Sequence, residues 1–93
     1  MNNITFDDFI KVEICVGTIL TAEINNNLYN PAMVLTIDFG KEIGIKKSSA
    51  QLVANYTCDS LIKRQILAVV NFPPRQVGKI ISEVLVLGLA DII

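Results

Sequence analysis

Short apolar stretches, many alternating with polar residues at a period of two and broken by turn residues, run the length of this chain. Val12-Glu13-Ile14-Cys15-Val16 alternates and predicts a strand. Gly17 interrupts it before Thr18-Ile19-Leu20-Thr21-Ala22, and a glycine inside a strand predicts a bulge or bend that curls a sheet towards closure. Met33, Leu35, Ile37 and Phe39 alternate with Val34, Thr36 and Asp38 in a second strand, and Phe39-Gly40-Lys41 turns into a third around Ile43 to Lys47. Gln65 to Asn71 is a fourth strand, apolar on both faces, stopped by Pro73-Pro74. Ile80 to Gly88 is a fifth, with Ser82 and Glu83 embedded in it. Two helical pieces are expected. Thr5 caps a single turn that puts Phe6, Phe9 and Ile10 on one face, and Ser49 to Tyr56 forms a short helix ended by Thr57 and Asp59. The fold class is therefore all-β with short helices, and the element pattern suggests a five-stranded barrel of the OB type.

Ninety-three residues make one domain, 1–93, with a modest core. A hydrophobic fraction of 52% and a mean hydropathy of +0.51 exceed what one small core readily hides, so part of the apolar surface is expected at a subunit interface or in a groove. The apolar runs are strand-sized and too short to span a bilayer, and no basic region precedes an apolar stretch at the N-terminus. The expectation is a cytoplasmic protein without membrane insertion. The chain has no histidine, which excludes Ser-His and Cys-His catalysis and every histidine-containing metal site. Cys15 and Cys58 read as reduced side chains, Cys15 buried in its strand. No catalytic residue, metal site or cofactor is expected: Asp38 and Glu42 read as acids of a glycine turn, and Gly40 and Gly44 as isolated turn glycines.

The net charge of −1 argues against indiscriminate nucleic-acid binding, but its distribution is uneven: −4 over residues 1–40, +5 over 41–80 and −2 over 81–93. A basic middle between acidic ends can form a basic face on a nearly neutral molecule. Two polar islands fall in that region or at its border. In Ile43 to Gln51, Lys46 and Ser48 share one strand face and Lys47 and Ser49 the other. Lysine supplies charge to phosphate, and serine donates to phosphate or sugar oxygens. The same residues also fit a solvated edge strand, and on the residues alone that is the simpler reading. In Asn71-Phe72-Pro73-Pro74-Arg75 the prolines stiffen a loop that aims Asn71 and Arg75, which suits phosphate or base contacts and equally suits a structural turn. Lys63, Arg64 and Lys79 add positive field or ordinary solvated surface. Ser82 and Glu83 interrupt an apolar strand, so one of them faces inward or into a groove and needs a partner. With four Phe and two Tyr, the stacking platform of a general single-strand binder is thin.

These islands carry a resemblance. Val12-Glu13-Ile14-Cys15-Val16-Gly17-Thr18-Ile19 resembles the opening strand of the tRNA-binding OB domain found in some methionyl-tRNA synthetases and in the phenylalanyl-tRNA synthetase beta chain. Ile37-Asp38-Phe39-Gly40, Ile43-Gly44, Ser48-Ser49-Ala50-Gln51, Ala68 to Arg75 and Ser82 to Gly88 together are similar to the free-standing CsaA-type branch, over nearly the whole length. The resemblance implies an OB barrel, a homodimer, tRNA binding by shape rather than sequence, and a chaperone-like role on unfolded preproteins for the export machinery. Carried over by position and charge, Lys46, Lys47, Ser48, Ser49, Lys63, Arg64, Asn71, Arg75, Lys79, Ser82 and Glu83 become tRNA-binding candidates, and Phe72 and Pro73 candidates for a peptide groove. Two positions depart from the family. Cys15 stands where the family usually has arginine, and the chain ends at Ile93 where family members continue through a further strand, so an incompletely closed barrel is allowed for.

Overall fold

The computed structural model describes residues 2–25, 32–50 and 56–89. In chain order the elements are α1 (Phe6–Ile10), β1 (Ile14–Asn25), β2 (Ala32–Asp38), β3 (Ile45–Ala50), α2 (Cys58–Leu61), β4 (Gln65–Val69), β5 (Arg75–Val77), β6 (Ile80–Ser82) and β7 (Leu85–Leu89). Five strands form one antiparallel sheet in the order β3-β2-β1-β4-β7, and β5 and β6 form a separate hairpin. The all-β class and the five-stranded OB-like sheet are those expected. Among the described residues no helix is long and apolar enough to cross a membrane.

The period-two pattern sets the core. Met33, Leu35 and Ile37 of β2 are fully buried, and they pack with Ile19 of β1, Ile66 and Ala68 of β4, Leu61 of α2 and Val84. β1 is long enough to serve two neighbours: Ile14 to Thr18 pairs with β4, and Thr18 to Asn25 pairs with β2. That change of partner bends the sheet over its core. The bulge expected at Gly17 lies three residues later, where Leu20 is the extra residue between the Ile19 and Thr21 pairs. Pairing runs unbroken through Gly17. Its lack of a side chain serves a close approach instead, since a Cβ there would lie 2.5 Å from Ile37 Cγ2 and 2.7 Å from the Phe39 ring. Cys15, expected to be buried, is half-buried opposite Ala68.

Several expected boundaries shift. β3 starts at Ile45 because residues 40–44 close a turn first: Gly44 N–H donates to Gly40 O, Phe39 N–H to Gly44 O, and Asp38 Oδ1 accepts from Gly40 N–H. Gly40 and Gly44 both have positive φ, which only glycine adopts freely. β3 then runs through Ser49 and Ala50, so the helix expected from Ser49 does not begin there, and residues 51–55 lie outside the described residues. Thr57, read as a helix stop, is the N-cap of α2; its hydroxyl accepts from Ser60 N–H while Ser60 Oγ accepts from Thr57 N–H. The single strand expected over 80–88 is two strands, β6 and β7, broken at Glu83-Val84, and β5 was not expected. Val77 pairs with Ile80 across Gly78-Lys79, with Gly78 at φ +63°. Glycine followed by any residue between two apolar positions is a tight hairpin signal, and it stood in the sequence.

Thr5 caps α1 as expected, yet the helix buries no residue, and Phe6, Phe9 and Ile10 are each more than half exposed. The outer face of the β1-β4-β7 half of the sheet is also apolar, with Ile14, Val16, Leu67, Leu85 and Leu87 exposed. Val16 faces Leu67 across the β1-β4 ladder, so these side chains adjoin.

Candidate nucleic-acid interface

The curl of the sheet brings the free edge of β3 against the link between β6 and β7. No regular ladder forms among the described residues, so the barrel is not closed as a continuous sheet. One backbone hydrogen bond spans this seam, from Glu83 N–H to Lys47 O (2.8 Å). Side chains supply the rest. Glu83 Oε1 accepts from Lys47 N–H (3.1 Å) and Ser82 Oγ accepts from Ser49 N–H (3.1 Å), as backbone carbonyls of a neighbouring strand would. Ser48, fully buried, donates to Val84 O (3.1 Å). The single proton of Ser82 Oγ has Val84 O at 3.1 Å and Ser48 Oγ at 3.4 Å as acceptors. The polar interruption in the fifth strand is thus satisfied at both residues, and the edge of β3 is covered.

Four of the chain's eight cations gather around this seam. Lys46 lies on the inner side of β3, half-buried, with Nζ 3.9 Å from Glu83 Oε2. Both side chains are about a third exposed, so the pair contributes about 0–1 kcal/mol. Lys47, on the other face, is exposed and lines a shallow hollow of about 340 Å³ with Lys79, Glu23, Ile24, Asn25, Val34 and Ile80. Also at the seam, Arg75, Ser49, Ser82 and Glu83 meet Phe72, Pro73, Val77, Val84 and Leu85 around a pocket of about 270 Å³. The expected groove residues Phe72 and Pro73 therefore lie beside Arg75. Val77, Val84 and Leu85 complete the walls; sequence reasoning missed them because the β5-β6 hairpin that places Val77 was missed.

Three candidates stand elsewhere. Asn71 Oδ1 accepts from Glu13 N–H (2.9 Å) and its Nδ2 donates to Lys11 O (2.6 Å), which fastens the segment leading into β1 to the end of β4. Lys63 and Arg64 form the turn from α2 into β4, where Lys63 N–H donates to Ile19 O (2.7 Å) and Ile19 N–H to Arg64 O (2.9 Å). Lys63 holds φ at +70°, a strained value for a residue with a side chain.

The sequence profile of the family described as "Putative tRNA binding domain" matches residues 14–92. Among curated relatives, a methionine–tRNA ligase of Leptospira biflexa is 33% identical over 85 residues, which is 91% of this chain and 12% of that enzyme. The chain spans about an eighth of the length of the curated relatives it matches. The fold matches the CsaA chaperone protein of Picrophilus torridus at 47% identity and a TM-score of 0.86, covering 94% of this chain and 86% of that one. It also matches the chaperone CsaA of Bacillus anthracis at 47% identity and a TM-score of 0.87, covering 94% of this chain and 78% of that one.

Proposed function

The chain belongs to the tRNA-binding domain family, and from that premise we propose that it binds tRNA without catalysing a reaction, by charge neutralisation and fit to the RNA's shape. The observation that carries this reading is the gathering of Lys46, Lys47, Arg75 and Lys79 around one seam. Of the acids there, Glu83 already holds a backbone N–H and faces Lys46, and Glu23 lines the hollow with Lys47 and Lys79. Because the seam fixes the strands that bear them, these cations are presented at set positions, and phosphates at matching spacing are favoured over others. Ser49 adds a hydroxyl at the pocket's edge. Lys63 and Arg64, on the α2-β4 turn, add positive field at a second point.

The active form in this reading is a cytoplasmic homodimer. A single-turn helix does not hold itself together in water, and here its apolar face is open. A second copy covering α1 and the apolar outer face of β1, β4 and β7 accounts for both, and two basic seams on one dimer match a bent, L-shaped RNA. Static light scattering is expected to give twice the chain mass; a monodisperse monomer contradicts this assembly.

A second reading has its own support. The pocket at Phe72 and Pro73 is mostly apolar, and the two solved relatives are named as chaperones. The same face would then hold unfolded preproteins for the export machinery. Titration with bulk tRNA at low and at moderate salt separates the two: saturable, salt-sensitive binding supports the RNA module. Absence of binding at low salt contradicts it and makes unfolded preprotein the ligand to test.

A further inference from the structure

We propose that the pocket between the seam and the Phe72-Pro73 loop takes one unstacked nucleobase of the bound RNA, a base that carries an exocyclic amine, with its phosphate towards Arg75. The inference rests on the tRNA-binding reading and adds how the RNA is gripped. At about 270 Å³ the pocket is near the small end of ligand sites, room for one heterocycle and far too small for a duplex. Its lining mixes apolar walls with charges of opposite sign. Phe72, 47% exposed, presents an aromatic surface; Arg75 supplies a planar cation; Glu83 supplies a carboxylate. Aromatic and guanidinium planes are the surfaces on which unpaired bases stack, and a carboxylate accepts from the amines on base edges.

The charges also decide against an aliphatic side chain as the occupant. Such a group would cover Arg75 without giving it a partner and would leave the remaining acceptor capacity of Glu83 unused, which is unfavourable. A nucleotide satisfies both, its phosphate at Arg75 and its amine at Glu83. Glu83 retains acceptor capacity, since a carboxylate has about four lone-pair sites. Here one oxygen takes Lys47 N–H and the other faces Lys46 at 3.9 Å. The frame is preformed: the seam holds Ser82 and Glu83, and Pro73-Pro74 restricts the loop that carries Phe72.

The test is a four-nucleotide single-stranded RNA with one 2-aminopurine, followed by fluorescence. Saturable quenching is expected with the native chain. Phe72→Leu keeps an apolar wall, and its fold is checked by thermal melting; affinity for the probe is expected to fall about fivefold to a hundredfold, the loss of one base stack. Cytidine and adenosine oligonucleotides are expected to displace the probe better than uridine ones. Glu83→Gln, whose amide oxygen can still accept from Lys47 N–H, is expected to erase that difference. Quenching that Phe72→Leu leaves unchanged overturns the proposal. So does displacement of the probe by an apolar peptide with equal strength on the native chain and on Phe72→Leu. Salt-sensitive tRNA binding with no quenching overturns the pocket alone, whereas loss of both overturns the tRNA reading with it.

Discussion

Ser82 and Arg75 face each other across the β5-β6 hairpin, and the chain uses them in opposite ways. Ser82 and Glu83 act as stand-ins for backbone, taking Ser49 N–H and Lys47 N–H so that the edge of β3 is not left open. Arg75, with Phe72 and Pro73, lines an open pocket, and Lys47 and Lys79 line a second hollow. Both groups look alike in sequence, as polar residues set among apolar ones. Polarity inside a strand shows that a partner is needed; it does not show whether the partner is the fold or a ligand.

Substitutions can break that contrast, and the largest effect is expected at the seam. Ser48→Ala with Ser82→Ala leaves Val84 O and Ser49 N–H without their partners and should cost about 2–4 kcal/mol in denaturant unfolding. The tRNA affinity of the folded fraction should fall less than it does for Arg75→Ala, because no cation is removed. A cost below about 1 kcal/mol would mean that these hydroxyls do not hold β3. Asn71→Ala, which removes two tethers to Lys11 and Glu13, should cost about 1–2 kcal/mol of stability, again read by denaturant unfolding, and leave tRNA affinity in place. At the pocket the signs reverse. Arg75→Ala should leave stability within about 0.5 kcal/mol, while a tRNA titration shows affinity reduced about threefold to tenfold. Lys63→Gly should have the smallest effect, raising stability by about 0.5 kcal/mol as the left-handed backbone at φ +70° loses its strain. Its effect on tRNA affinity should be smaller than that of Arg75→Ala, because Lys63 lies on the α2-β4 turn rather than at the seam. An equal loss would move the interface towards that turn.

Much of the fold was legible in the sequence because alternation reports burial directly: Met33, Leu35 and Ile37 were marked as one face and are the centre of the core. What was not legible depends on long-range pairing. Gly17 was recognised as special, but its reason lies in Ile37 and Phe39, some 20 residues away, which approach where a Cβ would stand. The break at Glu83-Val84 arises because Ser82 and Glu83 turn towards β3, a contact across more than 30 residues. The hairpin at Gly78-Lys79 is legible from its glycine. Of the candidate residues, the two islands do converge, with Lys46, Ser48 and Ser49 of the first beside Ser82 and Glu83, and with Arg75 of the second across the pocket from Ser49. Asn71 is carried by the Asn71-to-Arg75 motif and Lys63 and Arg64 by their charge, and neither motif nor charge tells where a side chain lands.

The claim that the cations gathered around the seam grip phosphate is tested most directly by measuring tRNA affinity against salt for the native chain and for Arg75→Ala. With three to five phosphates neutralised, the native slope of log affinity against log salt should be about −2 to −4, and Arg75→Ala should make it shallower by about one. A flat native response, or a slope that Arg75→Ala leaves unchanged, would contradict the assignment of this face to RNA.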